Sequence, residues 1–261
     1  MSDKIERLAK MLADAWVNNG TIPLPAAADA PSSREEAYQI QNRMTEIVGT
    51  PVVGWKVGAT VKAVQQFEGH DGPIPGRILK DRLFKSGAEV PAKLIHGNKL
   101  EAEFAFRLTR DFGPKDAPFT KQSIADSIEF VPALELAGGR YAPGTGNRGL
   151  RTFDAVADNG FSGAVVVGEA IKDWQKIDFD AMEIDLRIDD SPAIQVYSGQ
   201  YRRDPAVVTA ETLTDLANRG ISLKAGDVIL TGSLTIPTPL RQGQSVTAKF
   251  GDFGTLTTKM I

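Results

Sequence analysis

The chain has 261 residues, a length that predicts one large domain with a smaller appended part. Thirty basic and 33 acidic residues give a net charge of -3 without long runs of one sign, so neither nucleic acid nor an anionic membrane is indicated as a partner. The absence of cysteine excludes disulfides, thiolate nucleophiles and cysteine-ligated metal centres. No apolar run approaches the roughly 18 residues that span a bilayer, and the first residues lack a signal-peptide pattern, so we expect a cytoplasmic protein.

The beginning of the chain predicts two helices. Residues 4–17 carry apolar side chains at spacings of three and four, which is typical of an amphipathic helix. Ser33 and Glu36 have the spacing of a capping box and predict a second helix that continues to about Val48. We interpret both helices as scaffold.

A lysine between two glycines marks the next segment. Residues 51–59 predict a strand, and its alternation places Gly54, Lys56 and Gly58 on one face. The two glycines would leave space beside the ammonium in which a ligand could lie. Burial would lower the pKa of Lys56 and so favour proton transfer near neutral pH. The alternative is an ordinary surface lysine.

A loop rich in glycine and proline follows. Residues 60–67 predict a short helix, and residues 68–77 predict a loop of the kind that closes over functional sites. His70 and Asp71 are its chemically capable members. The alternative is that an exposed His-Asp pair only hydrogen-bonds to its own turn.

The strongest chemical signal is a set of acidic residues in two apolar strands. In the strand predicted over residues 100–106, Glu101 and Glu103 share one face, and the apolar side chains share the other. Glu135 lies within a second apolar run, residues 131–136. If the two strands are neighbours, three carboxylates converge and would repel each other and take up protons. Mg²⁺ or Mn²⁺ would remove that conflict, because such ions prefer oxygen ligands.

The acidic pattern by itself is not specific, because a Glu-x-Glu pair on a half-exposed strand is usually solvated. Glu183 and Asp185 repeat it in a regularly alternating strand over residues 181–188, which we interpret as solvated. A Gly-x-Gly-x-x-Gly string within residues 137–150 matches a dinucleotide-binding fingerprint. No clean strand precedes it, so we interpret this segment as a surface loop.

The remaining chain is rich in short strands. Further strands are predicted over residues 78–84, 88–94, 161–168, 192–198, 223–232, 244–250 and 254–259, and helices near 120–127 and 154–159 and over 205–219. The predicted fold class is therefore α+β. We expect a small N-terminal α/β part over residues 1–90, followed by a β-rich mixed-sheet catalytic part over residues 91–261.

Five segments together resemble the fumarylacetoacetate hydrolase superfamily. They are Gly-Trp-Lys-Val-Gly-Ala-Thr at 54–60, Leu-Glu-Ala-Glu-Phe-Ala-Phe at 100–106, Pro-Ala-Leu-Glu-Leu at 132–136, Ala-Asp-Asn at 157–159 and Gly-Asp-Val-Ile-Leu-Thr-Gly at 226–232. The likeness covers nearly the whole chain. It is greater to the branch of 2-oxopent-4-enoate hydratases and 4-oxalocrotonate decarboxylases, which act in meta-cleavage degradation of aromatics.

This resemblance implies a β-rich roll of the fumarylacetoacetate hydrolase type that holds Mg²⁺ or Mn²⁺. The metal ligands would be Glu101, Glu103 and Glu135, and Lys56 would serve acid–base chemistry. A 2-oxo acid would bind the cation through its carboxylate and keto oxygens, and the cation would stabilise the enolate. The function implied is a divalent-metal-dependent lyase acting on a small unsaturated 2-oxo acid.

The resemblance also implies further site residues and partners. We expect Gly58, Ser162 and Thr231 to contact the substrate, and the loop around Asp71 to cover the site with Asp71 as a second catalytic residue. We expect a homo-oligomer that associates with a related hydratase or decarboxylase.

Two departures from the family pattern keep alternatives open. Where hydratases commonly have Pro-Asp-x-Gly, residues 74–77 read Ile-Pro-Gly-Arg, so the acid that positions water is missing or replaced by Asp71. Decarboxylation and tautomerisation therefore stand beside hydration. Val64 and Phe67 occupy the positions of the His-x-x-Glu pair of carbon–carbon hydrolases, which argues against acylpyruvate hydrolysis. A non-catalytic accessory subunit of the same fold is the other alternative.

Overall fold

The computed structural model describes residues 2–97, 99–145 and 148–261, and for Glu68 the backbone alone. The α-helices in the described chain are α1 (Asp3–Val17), α2 (Arg34–Val48), α3 (Lys62–Glu68), α4 (Lys121–Ile124), α5 (Thr152–Ala157) and α6 (Pro205–Asn218). The strands are β1 (Val52–Gly58), β2 (Ile74–Leu79), β3 (Leu83–Lys85), β4 (Glu89–Val90), β5 (Lys99–Leu108), β6 (Ile128–Ala137), β7 (Ala164–Val167), β8 (Ile184–Ile188), β9 (Val228–Ser233), β10 (Ser245–Phe250) and β11 (Thr255–Met260).

The strands form two mixed sheets. The larger sheet has seven strands in the order β2-β1-β9-β5-β6-β7-β3, and the smaller has four in the order β4-β11-β10-β8. Strands β5 and β6 run antiparallel in the middle of the larger sheet, whereas β1 and β9 are parallel neighbours. Helices and strands mixed in this way confirm the predicted α+β fold class.

The main core lies between the two sheets. The apolar face of β5 supplies four fully buried side chains, Leu100, Ala102, Phe104 and Phe106. They pack with side chains of the smaller sheet such as Phe250. Because side chains alternate along β5, the glutamates point to the other side of the larger sheet, away from the main core.

The two N-terminal helices begin at hydrogen-bonded caps. Ser2 accepts the backbone N–H of Ile5, and Ser33 accepts that of Glu36 at 3.1 Å. The Glu36 carboxylate accepts the N–H of Ser32 at 2.6 Å instead of that of Ser33, so the predicted capping box forms only in part. Both helices pack with α5 on a second apolar cluster, outside the main core.

A buried tryptophan of α1 joins this cluster to two arginines. Trp16 is 3% exposed, and the guanidinium carbons of Arg82 and Arg140 lie 4.5 and 4.8 Å from its ring centroids. Trp16→Leu should therefore lower the free energy of unfolding by about 2–3 kcal/mol, because part of a buried ring and two cation–π contacts are lost. Trp16→Phe keeps a ring and should lose less. Urea denaturation compares the two, and equal losses would contradict this account.

Four sequence predictions are wrong in part. Residues 74–77 were expected in a loop, but they belong to β2, because β1 lies inside the sheet and needs a partner on each side. Residues 80–82 and 92–94 are short 3₁₀ turns within segments that predict strands. Residues 192–198 predict a strand but form only isolated pairings: the N–H of Ile194 donates to the carbonyl of Leu186, and Val196 makes a single bridge to Thr235.

Two expectations are not decided by the fold. The larger sheet contains strands from both sides of residue 90, and the division into residues 1–90 and 91–261 stays a prediction. Residues 146 and 147, in the glycine string of the predicted surface loop, lie outside the described residues. Within the described ranges, the structure contains no helix with the length and apolar character of a membrane span.

Candidate active site

Three glutamates meet on the polar face of β5 and β6. The antiparallel register places Glu101 directly opposite Glu135, and Glu103 follows two residues along β5. One carboxylate oxygen of each residue lies within 4.8 Å of the others. Glu103 and Glu135 are each 1% exposed, and Glu101 is half-buried. The structure thus brings together the residues that the alternation places on one face, and their role as metal ligands stays a prediction.

The electrostatics of this cluster show how strongly the carboxylates oppose each other. Burial, and then the charges of Glu135 and Glu101, raise the pKa of Glu103 well above its usual value. Its Oε2 accepts the backbone N–H of Gly232 at 2.8 Å, which holds the side chain in place. The protein groups alone therefore favour a proton on Glu103.

Lys56 of β1 is the cation of the cluster. Its Nζ lies 3.2 Å from Oε1 of Glu135, and the residue is 6% exposed. Burial by itself lowers the pKa of Lys56, but the charges of Glu135, Glu101 and Glu103 together raise it. The sequence predicts a lowered pKa, and the structure gives the opposite direction because three carboxylates surround the ammonium.

The cluster has the charge and the donors that a divalent cation requires. With all three carboxylates ionised, as a bound cation would require, the ammonium of Lys56 balances one charge and two negative charges remain in a buried place. Oε1 of Glu135 is buried, and Nζ of Lys56 lies 3.2 Å from it. An all-oxygen set with a net charge of about -2 fits Mg²⁺ or Mn²⁺. The residues present therefore fit the implied metal.

A cavity of about 600 Å³ leads to the glutamates. Its lining includes Lys56, Gly58, Thr60, Val64, His70, Ile74, His96, Lys99, Glu101, Tyr141, Leu150, Gly160, Phe161, Tyr197, Tyr201, Gly232 and Ser233. Glu103 and Glu135 are not in the described lining, but an oxygen of each lies within 4.8 Å of one of Glu101, which does line the cavity. The volume suits a small organic acid that reaches the carboxylates at one end.

The two glycines on the Lys56 face of β1 are required for different structural reasons. A Cβ on Gly58 would lie 3.4 Å from Nζ of Lys56, so glycine there keeps space beside the ammonium, as the sequence predicts. A Cβ on Gly54 would lie only 2.2 Å from the carbonyl oxygen of Val228. Gly54 is therefore required by the close pairing of β1 with β9 and not by a ligand.

The predicted substrate contacts lie in different places. Gly58 lines the cavity. Thr231 is buried and donates its hydroxyl to the carbonyl of Phe104 at 2.8 Å. Ser162 is 1% exposed, and its carbonyl accepts from Arg140 at 2.8 Å. In the described lining, the following residue Gly232 and the preceding residue Phe161 reach the cavity in place of these two.

The two candidate residues of the glycine-rich loop, His70 and Asp71, line different cavities. His70 lines the cavity that leads to the glutamates. Asp71 is exposed and lines a second cavity of about 310 Å³, together with Arg34. Arg34 donates to the carbonyl of Asp71, which fixes the loop there. The catalytic role of Asp71 stays a prediction, and its side chain lies at a different cavity from Lys56.

Sequence reasoning missed an aromatic wall of the cavity. The rings of Tyr197 and Tyr201 have centroids 6.0 Å apart, and both line the cavity. Tyr197 lies in the segment 192–198, which predicts a strand, and Tyr201 lies just beyond it; no motif there indicates a site. Their spacing of four was the available signal, because a short 3₁₀ turn at Gly199–Tyr201 brings both rings to one side.

Comparison with known proteins identifies the family. The model of the fumarylacetoacetate (FAA) hydrolase C-terminal family matches residues 82–261, and the chain belongs to this family. A 2-keto-4-pentenoate hydratase of Paraburkholderia xenovorans is 30% identical over 222 residues, which are 84% of this chain and 77% of that protein. A 4-oxalocrotonate decarboxylase of a Pseudomonas species is 29% identical over 267 residues, covering 97% of this chain and 96% of that protein.

Solved structures share the same fold. The 4-oxalocrotonate decarboxylase of Pseudomonas putida G7, complexed with magnesium and adipate, superposes with a TM-score of 0.84 at 24% identity, covering 99% of this chain and 98% of that one. The predictions of the superfamily, of its hydratase and decarboxylase branch, and of an enzyme are thereby confirmed. The chain is thus an enzyme of the branch that contains these hydratases and decarboxylases.

Proposed function

We propose that the protein is a divalent-metal-dependent lyase acting on a small unsaturated 2-oxo acid, with Mg²⁺ or Mn²⁺ held by Glu101, Glu103 and Glu135. The observation that carries this proposal is the cluster itself, in which three carboxylates lie together beside a buried lysine that lines a cavity of about 600 Å³. The names of the hydratase and decarboxylase relatives support it, and so do the metal complexes of proteins with this fold, one with magnesium and one with Mn²⁺ and pyruvate.

The chain's own residues supply the remaining chemistry. The cation, when bound, would polarise the keto group and stabilise negative charge on its oxygen. Lys56 lies among the carboxylates, where its ammonium can donate a proton to that oxygen or take one from the adjacent carbon. The space beside Gly58 leaves room for the substrate next to Nζ.

Two observations favour decarboxylation over hydration. Lys99 lies on the same face of β5 as Glu101, two residues closer to the strand end, and lines the cavity. Its ammonium is a cation in the cavity with which a second carboxylate of the substrate would pair. No carboxylate occurs in residues 74–77, and Asp71 lies at the second cavity, so the acid that would position water is not supplied there.

In the proposed decarboxylation of a dicarboxylate such as 4-oxalocrotonate, the substrate itself accepts the electron pair that the departing CO₂ leaves behind. The bond to the distal carboxylate breaks and CO₂ leaves. Its electron pair enters the conjugated 2-oxo system as a dienolate, which one proton converts to the dienol.

The test is turnover with two substrates. With Mn²⁺ or Mg²⁺ present, the protein should release CO₂ from 4-oxalocrotonate faster than it consumes the absorbance of 2-hydroxypenta-2,4-dienoate, and chelation of the metal should stop both reactions. The opposite order of rates would favour the hydratase. No change in either substrate would remove both lyase activities.

The alternatives have their own discriminating observations. Acylpyruvate hydrolysis is disfavoured because Val64, an apolar residue, lines the cavity and Phe67 is 89% exposed, so neither offers a proton-transfer group. The alternative of a non-catalytic accessory subunit is set aside, because the family and the similar proteins are those of enzymes. Self-association, association with a related hydratase or decarboxylase, and a cytoplasmic location stay predictions.

A further inference from the structure

One buried hydroxyl at the wall of the active cavity lacks a partner. Tyr141 lines the cavity that leads to the glutamates and is 8% exposed. Its phenolic oxygen is buried and forms no hydrogen bond to the residues that the structure describes. Buried polar groups are nearly always hydrogen-bonded, so an unpartnered donor at a cavity wall indicates a ligand that supplies the acceptor.

The two carboxylates whose charges act on Tyr141 are bound to other groups. Asp158 accepts Nε–H of Arg140 at 2.5 Å, and Asp154 accepts both terminal nitrogens of Arg148 at 2.6 and 2.8 Å. Burial, and then the charges of Asp158 and Asp154, raise the pKa of Tyr141 well above its ordinary value of 10.0. The phenol therefore keeps its proton, and it can donate a hydrogen bond to an anion but cannot act as a base.

The position of Tyr141 is fixed by its backbone and by packing. Ile22, in the connector between α1 and α2, donates its N–H to the carbonyl of Arg140 at 2.7 Å and accepts the N–H of Ala142 at 2.8 Å. Tyr141 thus lies between two backbone hydrogen bonds to one residue, and its ring packs in the second apolar cluster. The hydroxyl is not needed to hold the side chain in place.

The strand register places Tyr141 near the second cation of the cavity. Lys99 pairs with Ala137, the last residue of β6, and both line the cavity, as does Tyr141 four residues later. Lys99 precedes Glu101 by two residues, and two residues of a strand advance by about 7 Å. In an extended 2-oxo acid of six carbons, the keto carbon and the distal carboxylate carbon are about 5 Å apart. A substrate with its keto end at the glutamates can therefore place its other end at Lys99 and residues 137–141.

We infer that the hydroxyl of Tyr141 donates a hydrogen bond to the distal carboxylate of the substrate, and that Tyr141 and Lys99 together select a 2-oxo dicarboxylic acid. The inference rests on the proposed function and names the substrate class of its site. During decarboxylation, negative charge leaves this carboxylate and moves to the 2-oxo end. These contacts therefore stabilise the bound substrate more than the transition state, so they lower KM and do not raise kcat.

The experiment compares the binding of two saturated acids of equal length to the Mn²⁺-loaded protein by calorimetric titration. 2-Oxoadipate has the distal carboxylate, and 2-oxohexanoate has a methyl group in its place. The wild type should bind 2-oxoadipate at least about 10-fold more tightly. Tyr141→Phe should weaken the binding of 2-oxoadipate by about 10-fold and leave that of 2-oxohexanoate unchanged, because a hydrogen bond to a charged group is lost. Lys99→Met should show the same pattern.

A control variant and two further measurements distinguish this role from a structural one. Tyr38→Phe removes a hydroxyl at the second cavity and should change neither affinity. With 4-oxalocrotonate, Tyr141→Phe should raise KM by about 10-fold, with kcat equal to or above that of the wild type. Because the unpartnered hydroxyl does not stabilise the fold, ligand-free Tyr141→Phe should have a Tm equal to or above that of the wild type.

The outcomes separate the subsite from the proposed function. Equal affinity of the wild type for the two acids, or an equal loss for both acids in Tyr141→Phe, would overturn the subsite and leave the proposed function intact. A lower kcat with an unchanged KM in Tyr141→Phe would do the same. Failure of the Mn²⁺-loaded wild type to bind either acid would instead contradict the proposed function, on which the subsite depends.

Discussion

Replacing Glu103 with glutamine should remove most of the stabilisation that Mn²⁺ gives the protein and reduce turnover by at least about 10³-fold. The side chain is 1% exposed, and its Oε2 accepts the N–H of Gly232. A glutamine carbonyl oxygen can accept the same hydrogen bond, so the fold should persist. What the variant loses is one negative charge of the cluster.

The expected loss of stabilisation by Mn²⁺ follows from the linkage between metal binding and folding. A ligand present at 100 times its Kd stabilises the folded state by about 2.7 kcal/mol, and a 100-fold weaker affinity reduces this to about 0.4 kcal/mol at the same concentration. For a chain of this size, the metal-dependent rise in Tm should fall from about 5–10 °C to about 1–2 °C. Differential scanning fluorimetry with and without Mn²⁺ measures both values.

The sign of the pH dependence gives a further check of the same variant. The folded-state pKa of Glu103 is raised above its usual value of 4.5, chiefly by burial and then by Glu135 and Glu101. The stability that its protonation contributes is fully present below the unfolded-state pKa and is lost as the pH rises through the raised pKa. Without metal, the wild type should therefore lose stability over that range, and Glu103→Gln should lose less.

The control for this variant is a carboxylate on the same sheet. Glu129 lies on β6, six residues before Glu135 and on the same face, opposite Arg107. Glu129→Gln should leave both the Mn²⁺ shift and turnover close to wild type. A Glu103→Gln protein with an unchanged Mn²⁺ shift would contradict the assignment of these glutamates as metal ligands.

The glutamate cluster could be predicted from the sequence because the alternation of side chains along a strand is a local property. The two faces of β5 follow from the period of two: its apolar side chains at 100, 102, 104 and 106 pack in the main core, and Glu101 and Glu103 face away from it. The equivalent pattern at Glu183 and Asp185 shows the limit of this reasoning. Both patterns alternate equally well, and only the pairing of β5 with β6, which brings Glu135 opposite Glu101, distinguishes them.

Features that depend on contacts distant in sequence were not predictable. Lys56 has a glycine two residues away on each side, and the sequence gives no way to distinguish them. The backbone of Val228, 174 positions later, leaves no room for a side chain at Gly54, whereas Gly58 keeps space beside the lysine itself. His70 and Asp71 are adjacent in the chain, and only the tertiary arrangement assigns them to different cavities. Local patterns gave the chemistry of the site, and long-range packing decided which side chains reach it.

Lys56→Met and Lys56→Arg should both reduce turnover by about 10²–10⁴-fold, but only the first should destabilise the metal-free protein. Nζ of Lys56 lies 3.2 Å from the carboxylate of Glu135, and Lys56→Met leaves that buried charge without a cation, a loss that costs about 3–5 kcal/mol for buried ion pairs. Arginine keeps the charge, but its pKa is too high for it to give up a proton at neutral pH. Equal inactivity of the two variants would therefore identify proton transfer, not charge, as the contribution of Lys56.

The affinity for Mn²⁺ distinguishes a role of Lys56 in proton transfer from a role in organising the carboxylates. The pKa of Lys56 is raised because the attraction of Glu135, Glu101 and Glu103 outweighs burial, and a divalent cation among those carboxylates adds like charge that lowers it again. Lys56→Met removes the positive charge that competes with the cation, so Mn²⁺ should bind at least as tightly as in the wild type and should offset the lost stability. Calorimetric titration with Mn²⁺ measures this. Weaker Mn²⁺ binding in Lys56→Met would show that the lysine organises the carboxylates and would contradict a role confined to proton transfer.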